Sequence, residues 1–156
     1  MNPLSQNTRS MNAAVTGIIL AGGASRRMGR PKALLPWGKF ELLHHLTTTL
    51  QPRLDPLIVV SDGKMTFPTL PLGVQLIHDT TPYQGPLAGF SQGLQRAPVD
   101  RPIFLTGCDF PFIQPFIIDY LLDQLGNADA IVTQSENILQ PLLDSINQES
   151  SLPSIG

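Results

Sequence analysis

The stretch of sequence that decides the fold is VTGIILAGGASRRMGRPK, residues 15–32. Its first six residues form a short apolar run rich in β-branched side chains, which is typical of a buried strand. The run stops at the adjacent glycines Gly22 and Gly23, and four of the chain's ten basic residues follow within the next nine positions. The stretch therefore predicts a strand that leads into a loop of bare backbone and concentrated positive charge.

This loop has the chemistry of an anion site. Adjacent glycines let the backbone turn sharply and let a ligand approach the main-chain N–H groups. Arg26, Arg27, Arg30 and Lys32 add cations suited to phosphate oxygens, and Pro31 stiffens the segment before the lysine. Neither the P-loop pattern nor G-x-G-x-x-G is present. A nucleoside triphosphate is the simplest ligand, and a surface turn with solvated arginines is the alternative.

Strands and helices alternate along the rest of the chain. Apolar runs predict strands over 15–20, 56–62, 73–79, 101–109 and 128–134, and 138–145 is a candidate for the start of a sixth. Helical spacing predicts helices over 40–51, 85–97 and 115–126. This order indicates βαβ units and hence an α/β fold: a three-layer, Rossmann-like, mostly parallel sheet with helices on both faces.

Carboxylates follow three of the predicted strands. Asp62, Asp79 and Asp109 come at or just after strand ends, as Gly22 does after the first strand. Ligands of such sheets bind beyond the carboxyl ends of the strands, so we expect these residues to gather along one edge. The alternative is that acids simply favour loops.

Asp109 is the candidate magnesium ligand. A triphosphate normally travels with Mg²⁺, which takes one or two carboxylates together with phosphate oxygens and water. A carboxylate across the sheet edge from a basic loop suits that task. The reaction predicted from this pairing is attack on the α-phosphorus with pyrophosphate as the leaving group.

The charge of the chain is unevenly distributed. The net charge is −2, yet residues 1–40 hold six of the ten basic residues and no acid. A basic front edge on an acidic body favours a small anionic ligand held in one place, although chance clustering is an alternative. Nucleic acid usually needs a broad basic face, so we expect no nucleic-acid partner.

Composition also predicts the cellular location of the chain. The single cysteine, Cys108, cannot form an internal disulfide, so a cytoplasmic location is expected. No apolar run reaches the length of a membrane helix, and we expect no membrane partner. We interpret Cys108 as a buried inert thiol, His44 and His45 as packing or surface residues, and Trp37 as an anchor for a turn. The predicted organisation is a flexible tail over 1–14, a domain over 15–145 and a polar tail over 146–156.

Three blocks of the sequence resemble the molybdenum cofactor guanylyltransferases. They are LAGGASRRMGRPKALLPWG at 20–38, HDTTPYQGPLAG at 78–89 and LTGCDFPFI at 105–113. The first block is similar to the signature of a larger nucleotidyltransferase group, and GPLAG at 85–89 points to the molybdenum branch of that group. The resemblance covers about residues 15 to 143.

The resemblance implies a reaction and a set of site residues. The family transfers GMP from GTP to molybdopterin, with Mg²⁺ as cofactor, and releases pyrophosphate. Carried over by position, the implied GTP contacts are Leu20, Ala21, Gly22, Gly23, Lys32, Asp79 and Asp109. The implied catalytic residues are Arg27, Lys32 and Asp109, with Asp109 also the metal ligand. The implied pterin side consists of Gly85, Pro86, Leu87 and Gly89.

The sequence departs from the family in two places. Ser61 stands where the family often has asparagine, and a serine side chain reaches less far. The chain closes with SINQESSLPSIG at 145–156, where the family continues with further strands and helices. We therefore expect a complete GTP half, an incomplete pterin half, an exposed strand at 128–133 and a tendency to form homodimers. The alternatives are a cytidylyl- or sugar-phosphate nucleotidyltransferase, and a truncated GTP-binding module without turnover.

Overall fold

Two sheets and three α-helices make up the part of the chain that the computed structural model describes, which is residues 13–22, 29–64, 66–67, 69–80, 85–135 and 138–146. The strands are β1 Thr16–Leu20, β2 Pro36–Trp37, β3 Phe40–Glu41, β4 Leu57–Ser61, β5 Val74–His78, β6 Ile103–Gly107, β7 Ala130–Ser135 and β8 Ile138–Ile146. The α-helices are α1 Leu42–Leu50, α2 Pro86–Leu94 and α3 Phe116–Leu125.

The main sheet has six strands in the order β5-β4-β1-β6-β8-β7. Strands β5, β4, β1 and β6 are parallel, and β8 pairs antiparallel with both β6 and β7. Only two residues separate β7 from β8, and such a short link can join neighbouring strands only when they are antiparallel. The predicted mostly parallel sheet is confirmed, and the candidate sixth strand is a nine-residue strand inside the sheet.

Helices cover both faces of the sheet, which confirms the predicted three layers. Side chains of a strand alternate between faces, and β1 follows this rule. Ile19 packs in one core with residues of α1 and α3, whereas Ile18 packs in the other core, against which Phe90 and Leu94 of α2 lie. Strand β1 is buried along its whole length.

The helices match their predicted positions with trimmed ends. Helix α1 buries leucines at helical spacing, and α2 begins with Pro86 directly after Gly85, whose φ is 86°. Helix α3 ends at Gly126, where φ is 52°. Phe40 and Glu41 were expected in the first helix, but they form β3 instead.

A small hairpin explains that difference. Strands β2 and β3 pair across a turn at Gly38, whose φ is 66°, and the N–H of Leu42 donates to the carbonyl of Leu35 at 2.8 Å. A short 3-10 helix over Lys32–Leu34 precedes the hairpin. Among the described helices, none is long and apolar enough to cross a bilayer.

Candidate active site

The carboxyl ends of the parallel strands meet at one edge of the sheet, as the sequence predicts. The N–H of Ala21 donates to the carbonyl of Val60 at 2.8 Å, and the N–H of Asp79 donates to the carbonyl of Ser61 at 2.6 Å. Gly22 lies so close to the next strand end that a Cβ there would sit 3.1 Å from the backbone nitrogen of Asp62. Bare backbone at Gly22 therefore lets the ends of β1 and β4 approach each other.

Lys32 and Asp109 meet on the β6 side of this edge. The Nζ atom of Lys32 lies 2.8 Å from Oδ1 of Asp109, although 77 positions separate the two residues in the chain. The 3-10 helix positions the lysine, and the extension of β6 positions the carboxylate. Both side chains are about half exposed, so a ligand can reach them from solvent. The structure thus brings together a cation and a carboxylate that the sequence assigned to one site.

The hydroxyl of Ser61 makes its contacts within the protein. It is buried, accepts the N–H of Gly63 at 3.1 Å and lies 3.1 Å from Nδ1 of His78. These contacts join the loop after β4 to the end of β5. Where the family often has an asparagine, this chain therefore has a residue that orders the edge itself.

The residues assigned to the pterin side lie at the beginning of α2. Gly85, Pro86 and Leu87 are exposed, whereas Gly89 is buried. A Cβ at Gly89 would sit 3.4 Å from Leu20 and 3.9 Å from a carboxylate oxygen of Asp79. The start of α2 is therefore adjacent to residues assigned to the nucleotide.

Some of the predicted site lies outside the described residues. Gly23, Arg26 and Arg27 belong to that part of the chain, and their predicted roles stay predictions. Arg30 is described and exposed.

Cys108 is buried next to the Lys32–Asp109 pair. Burial, together with the neighbouring Asp109 carboxylate, raises the pKa of its thiol to about 12, and Lys32 opposes this shift. The thiol is therefore neutral near pH 7, as expected for an inert cysteine.

A cleft of about 430 Å³ opens beside the same pair, and sequence reasoning did not find it. Its lining residues are Lys32, Leu35, Pro36, Trp37, Leu42, Cys108, Asp109 and Pro111. Trp37 anchors the hairpin as predicted, with its ring centroid 5.3 Å from that of Phe112 and 5.4 Å from that of His45. His45 also bonds through Nε2 to the carbonyl of Pro111 at 3.1 Å. The role of His45 is therefore packing.

The donor set suits a metal ion that is shared with phosphate. No group of three His, Cys, Asp or Glu side chains in the described part of the chain is placed to hold a metal ion. Asp109 is half exposed and uses Oδ1 for Lys32, so its second oxygen is available at the same edge. One carboxylate with substrate phosphates and water is a common way to bind Mg²⁺. The residues therefore fit Mg²⁺ that arrives with a nucleotide.

Comparisons with known proteins identify the family and the fold of this chain. The family described as MobA-like NTP transferase domain matches residues 17–155. A probable molybdenum cofactor guanylyltransferase from Carboxydothermus hydrogenoformans is 35% identical over 130 residues, which cover 83% of this chain and 64% of that relative. The chain thus spans less than two thirds of the length of that relative.

Solved structures share the fold. Molybdopterin-guanine dinucleotide biosynthesis protein A from Archaeoglobus fulgidus superposes with a TM-score of 0.65 at 19% identity, covering 86% of this chain and 68% of that chain. The 2-C-methyl-D-erythritol 4-phosphate cytidylyltransferase from Thermus thermophilus superposes with a TM-score of 0.66 at 16% identity. The superposition covers 87% of this chain and 71% of that enzyme. At these identities the two structures establish the fold alone.

Proposed function

Because the chain belongs to the MobA-like NTP transferase family, we propose that it transfers GMP from GTP to molybdopterin and releases pyrophosphate. The observation that carries this proposal is the Lys32–Asp109 pair, which lies at the same sheet edge as Gly22. A cation for the phosphates and a carboxylate for a metal ion stand side by side there. Relatives named molybdenum cofactor guanylyltransferase support the choice of substrates.

The proposed reaction exchanges one phosphoanhydride bond for another. An oxygen of the terminal phosphate of molybdopterin attacks the α-phosphorus of GTP, and the bond between the α-phosphorus and the bridging oxygen breaks. The electron pair of that bond leaves with pyrophosphate, so the products are a dinucleotide and pyrophosphate. A phosphate monoester is mostly ionised near pH 7, because its second pKa is about 6. The chain therefore needs no general base for the attack.

Positioning and charge supply the catalysis in this scheme. The backbone at Leu20, Ala21 and Gly22 holds the nucleoside end beside Asp79. Lys32 neutralises phosphate oxygens as negative charge moves to the leaving pyrophosphate. Gly23 and Arg27 are proposed to lie along the same phosphates.

Asp109 is the residue that would hold Mg²⁺. When bound, the ion offsets charge on the phosphate oxygens and helps to orient the triphosphate. The short distance between Asp109 and Lys32 lets the two residues act on one triphosphate.

The test is magnesium-dependent pyrophosphate release from GTP, with and without molybdopterin, in the unmodified protein and in Asp109→Asn. We expect the variant to lose about a hundredfold in rate, or roughly 3 kcal/mol of transition-state stabilisation, because it lacks a ligand charge. Asp100→Asn is the matched control, since Asp100 is exposed and pairs with Arg101 before β6 begins. Equal rates for Asp109→Asn and the unmodified protein at limiting Mg²⁺ would remove Asp109 from the mechanism.

A second candidate is a cytidylyltransferase, because the fold that the chain shares with the Thermus thermophilus enzyme does not separate the two activities. Titrations with GTP, CTP and ATP separate the two, because our proposal requires preferential binding of GTP. Binding of GTP without pyrophosphate release from any acceptor would instead support a nucleotide-binding module.

A further inference from the structure

The cleft beside Trp37 shares only Lys32 and Asp109 with the proposed nucleotide contacts, and its other lining residues have no role in the proposed reaction. It lies between the 3-10 helix, the β2–β3 hairpin and the loop after β6, and its volume is about 430 Å³. Small-molecule sites in proteins have volumes of this order. Leu42 and Cys108, which line it, belong to the core on the α1 and α3 face of the sheet. The cleft therefore lies beside this core, at the sheet edge on the β6 side.

One wall of the cleft is a fixed aromatic surface. Trp37 pairs with Phe40 in the hairpin, and its indole is held edge-on against Phe112 and beside His45. Leu42 and Cys108 are almost fully buried and give the cleft an apolar base. A flat heteroaromatic ring matches such a surface, because it can stack on an aromatic wall while displacing weakly held water.

The polar groups of the cleft are those of the proposed reaction. Lys32 and Asp109 both line it, and they are also the residues proposed to hold the triphosphate and its metal ion. A molecule whose ring lies against Trp37 can therefore present a phosphate group at the reacting pair. GTP and molybdopterin both carry a fused ring system and phosphate, so the position of the cleft decides between them.

The proposed nucleotide residues lie on the other side of the reacting pair. Gly22 and Asp79 follow β1 and β5, whereas Asp109 follows β6 at the far end of the parallel strands. Gly89, at the start of α2, is also on that side, next to Leu20 and Asp79. A nucleoside held there leaves the Trp37 cleft to the second substrate.

We propose that the Trp37 cleft binds the pterin ring of the acceptor, an assignment that rests on the proposed guanylyl transfer. It places the ring in a different position from the Gly85–Leu87 segment implied by the family resemblance. In this assignment the guanine of GTP lies at the β1–β4–β5 side, and the phosphates of the two substrates meet at the Lys32–Asp109 pair.

The first test uses Trp37 itself, because it is the only tryptophan of the chain. Hydroxymethylpterin phosphate is titrated into the unmodified protein while indole emission is recorded, with and without saturating GTP and Mg²⁺. We expect saturable quenching with energy transfer to the pterin, and we expect it to persist when GTP is bound. Loss of the energy transfer to the pterin when saturating GTP and Mg²⁺ are added would mean that guanine occupies the cleft, and it would overturn the assignment.

The second test follows the fluorescence anisotropy of the pterin with variants. We expect Trp37→Ala to lose about tenfold or more in pterin affinity, the size of one ring-on-aromatic stack, and Trp37→Phe to retain most of it. Phe40→Ala is the matched control, because Phe40 lies in the same hairpin but stacks on His44 outside the cleft lining. Leu87→Ala tests the alternative position. If Leu87→Ala weakens the pterin and folded Trp37→Ala does not, the assignment is wrong.

Measuring pterin binding and pyrophosphate release separately distinguishes a failure of this inference from a failure of the proposed function. If pyrophosphate is released with molybdopterin but Trp37→Ala binds the pterin normally, the cleft assignment fails and the guanylyl transfer stands. If the pterin quenches Trp37 saturably but no acceptor gives pyrophosphate, the proposed function fails and the cleft is still a pterin site. Thermal melting of each variant shows whether it is folded, and the quenching test needs no variant.

Discussion

Lys32 and Asp109 form an ion pair whose value for stability is small. Both side chains are about half exposed, and ion pairs in contact with solvent contribute little to folding because water and salt screen them. The pair is therefore better explained by what it does to a ligand than by what it does for the fold. Substitutions at either position are expected to change binding or rate while leaving the folded structure intact.

At Lys32 we predict a selective loss of phosphate binding. Lys32→Ala should weaken GTP by about tenfold or more, the usual size of a lost charge-assisted hydrogen bond, and should leave guanosine nearly unchanged. Calorimetric titration with both ligands measures the difference. Lys39→Ala is the control, because Lys39 is exposed in the hairpin turn. An equal loss for guanosine and GTP would show that Lys32 acts through the structure of the loop.

We predict that the Cys108 thiol of the folded protein is alkylated slowly. The folded pKa of about 12 lies above the value of 9.0 for an ordinary thiol, so at pH 8 the folded chain holds less thiolate than the unfolded chain. Since the thiolate is the reactive form and the two pKa values differ by about three, alkylation should be about a thousandfold slower in the folded protein than in urea. Cys108 is the only cysteine, so mass spectrometry of the intact chain reports it directly. Comparable rates in the two states would mean that the β6 end opens readily.

At the scale of elements, helix α2 packs against the sheet through two glycines. Gly89 and Gly93 are one helical turn apart, and both are buried. A Cβ at Gly93 would lie 2.9 Å from Cγ2 of Ile18, whereas one at Gly89 would lie 3.4 Å from Leu20. Ile18 is fully buried in the middle of the sheet, so it has little room to move. The glycine spacing therefore sets how closely the helix approaches β1.

This packing predicts opposite effects for two similar substitutions. Alanine favours a helix over glycine by about 1 kcal/mol, so Gly89→Ala should keep or raise the free energy of unfolding. Gly93→Ala meets the same preference but overpacks Ile18, which costs about 1–3 kcal/mol. Urea denaturation should place Gly93→Ala below Gly89→Ala by that amount. Identical midpoints would show that α2 shifts to accommodate the methyl group.

At the scale of the whole molecule, ligand binding should stabilise the fold. The proposed nucleotide residues lie at the ends of β1, β5 and β6, so bound GTP would contact strands that unfolding separates. A ligand at about a hundred times its Kd adds about 2.7 kcal/mol to the free energy of unfolding. For a chain of this size, that corresponds to a rise in Tm of roughly 5–10 °C.

Differential scanning calorimetry with GTP and Mg²⁺ measures this shift. Mg²⁺ alone and CTP with Mg²⁺ are the controls, and both should give smaller shifts. A larger rise with CTP would contradict the proposed preference for GTP.

The amino-acid sequence by itself determined the order of strands and helices and the residues at the strand ends. Periodicity is a local property, and it identified α1 from its leucines and β1 from its continuous apolar run. Parallel strands point their carboxyl ends the same way, so the alternation of elements already placed Gly22, Asp79 and Asp109 at one edge. No tertiary information was needed for that step.

Only the tertiary structure decided which of these residues touch. The Lys32–Asp109 contact joins residues 77 positions apart, and it depends on how the 3-10 helix packs against the end of β6. Strands β2 and β3 have two residues each, too few for a periodic signal, so the hairpin that carries Trp37 was absent from the prediction. The position of β8 between β6 and β7 likewise depends on pairing across the whole sheet. The Trp37 cleft exists because these separate segments pack together, and packing between distant segments leaves no local pattern in a sequence.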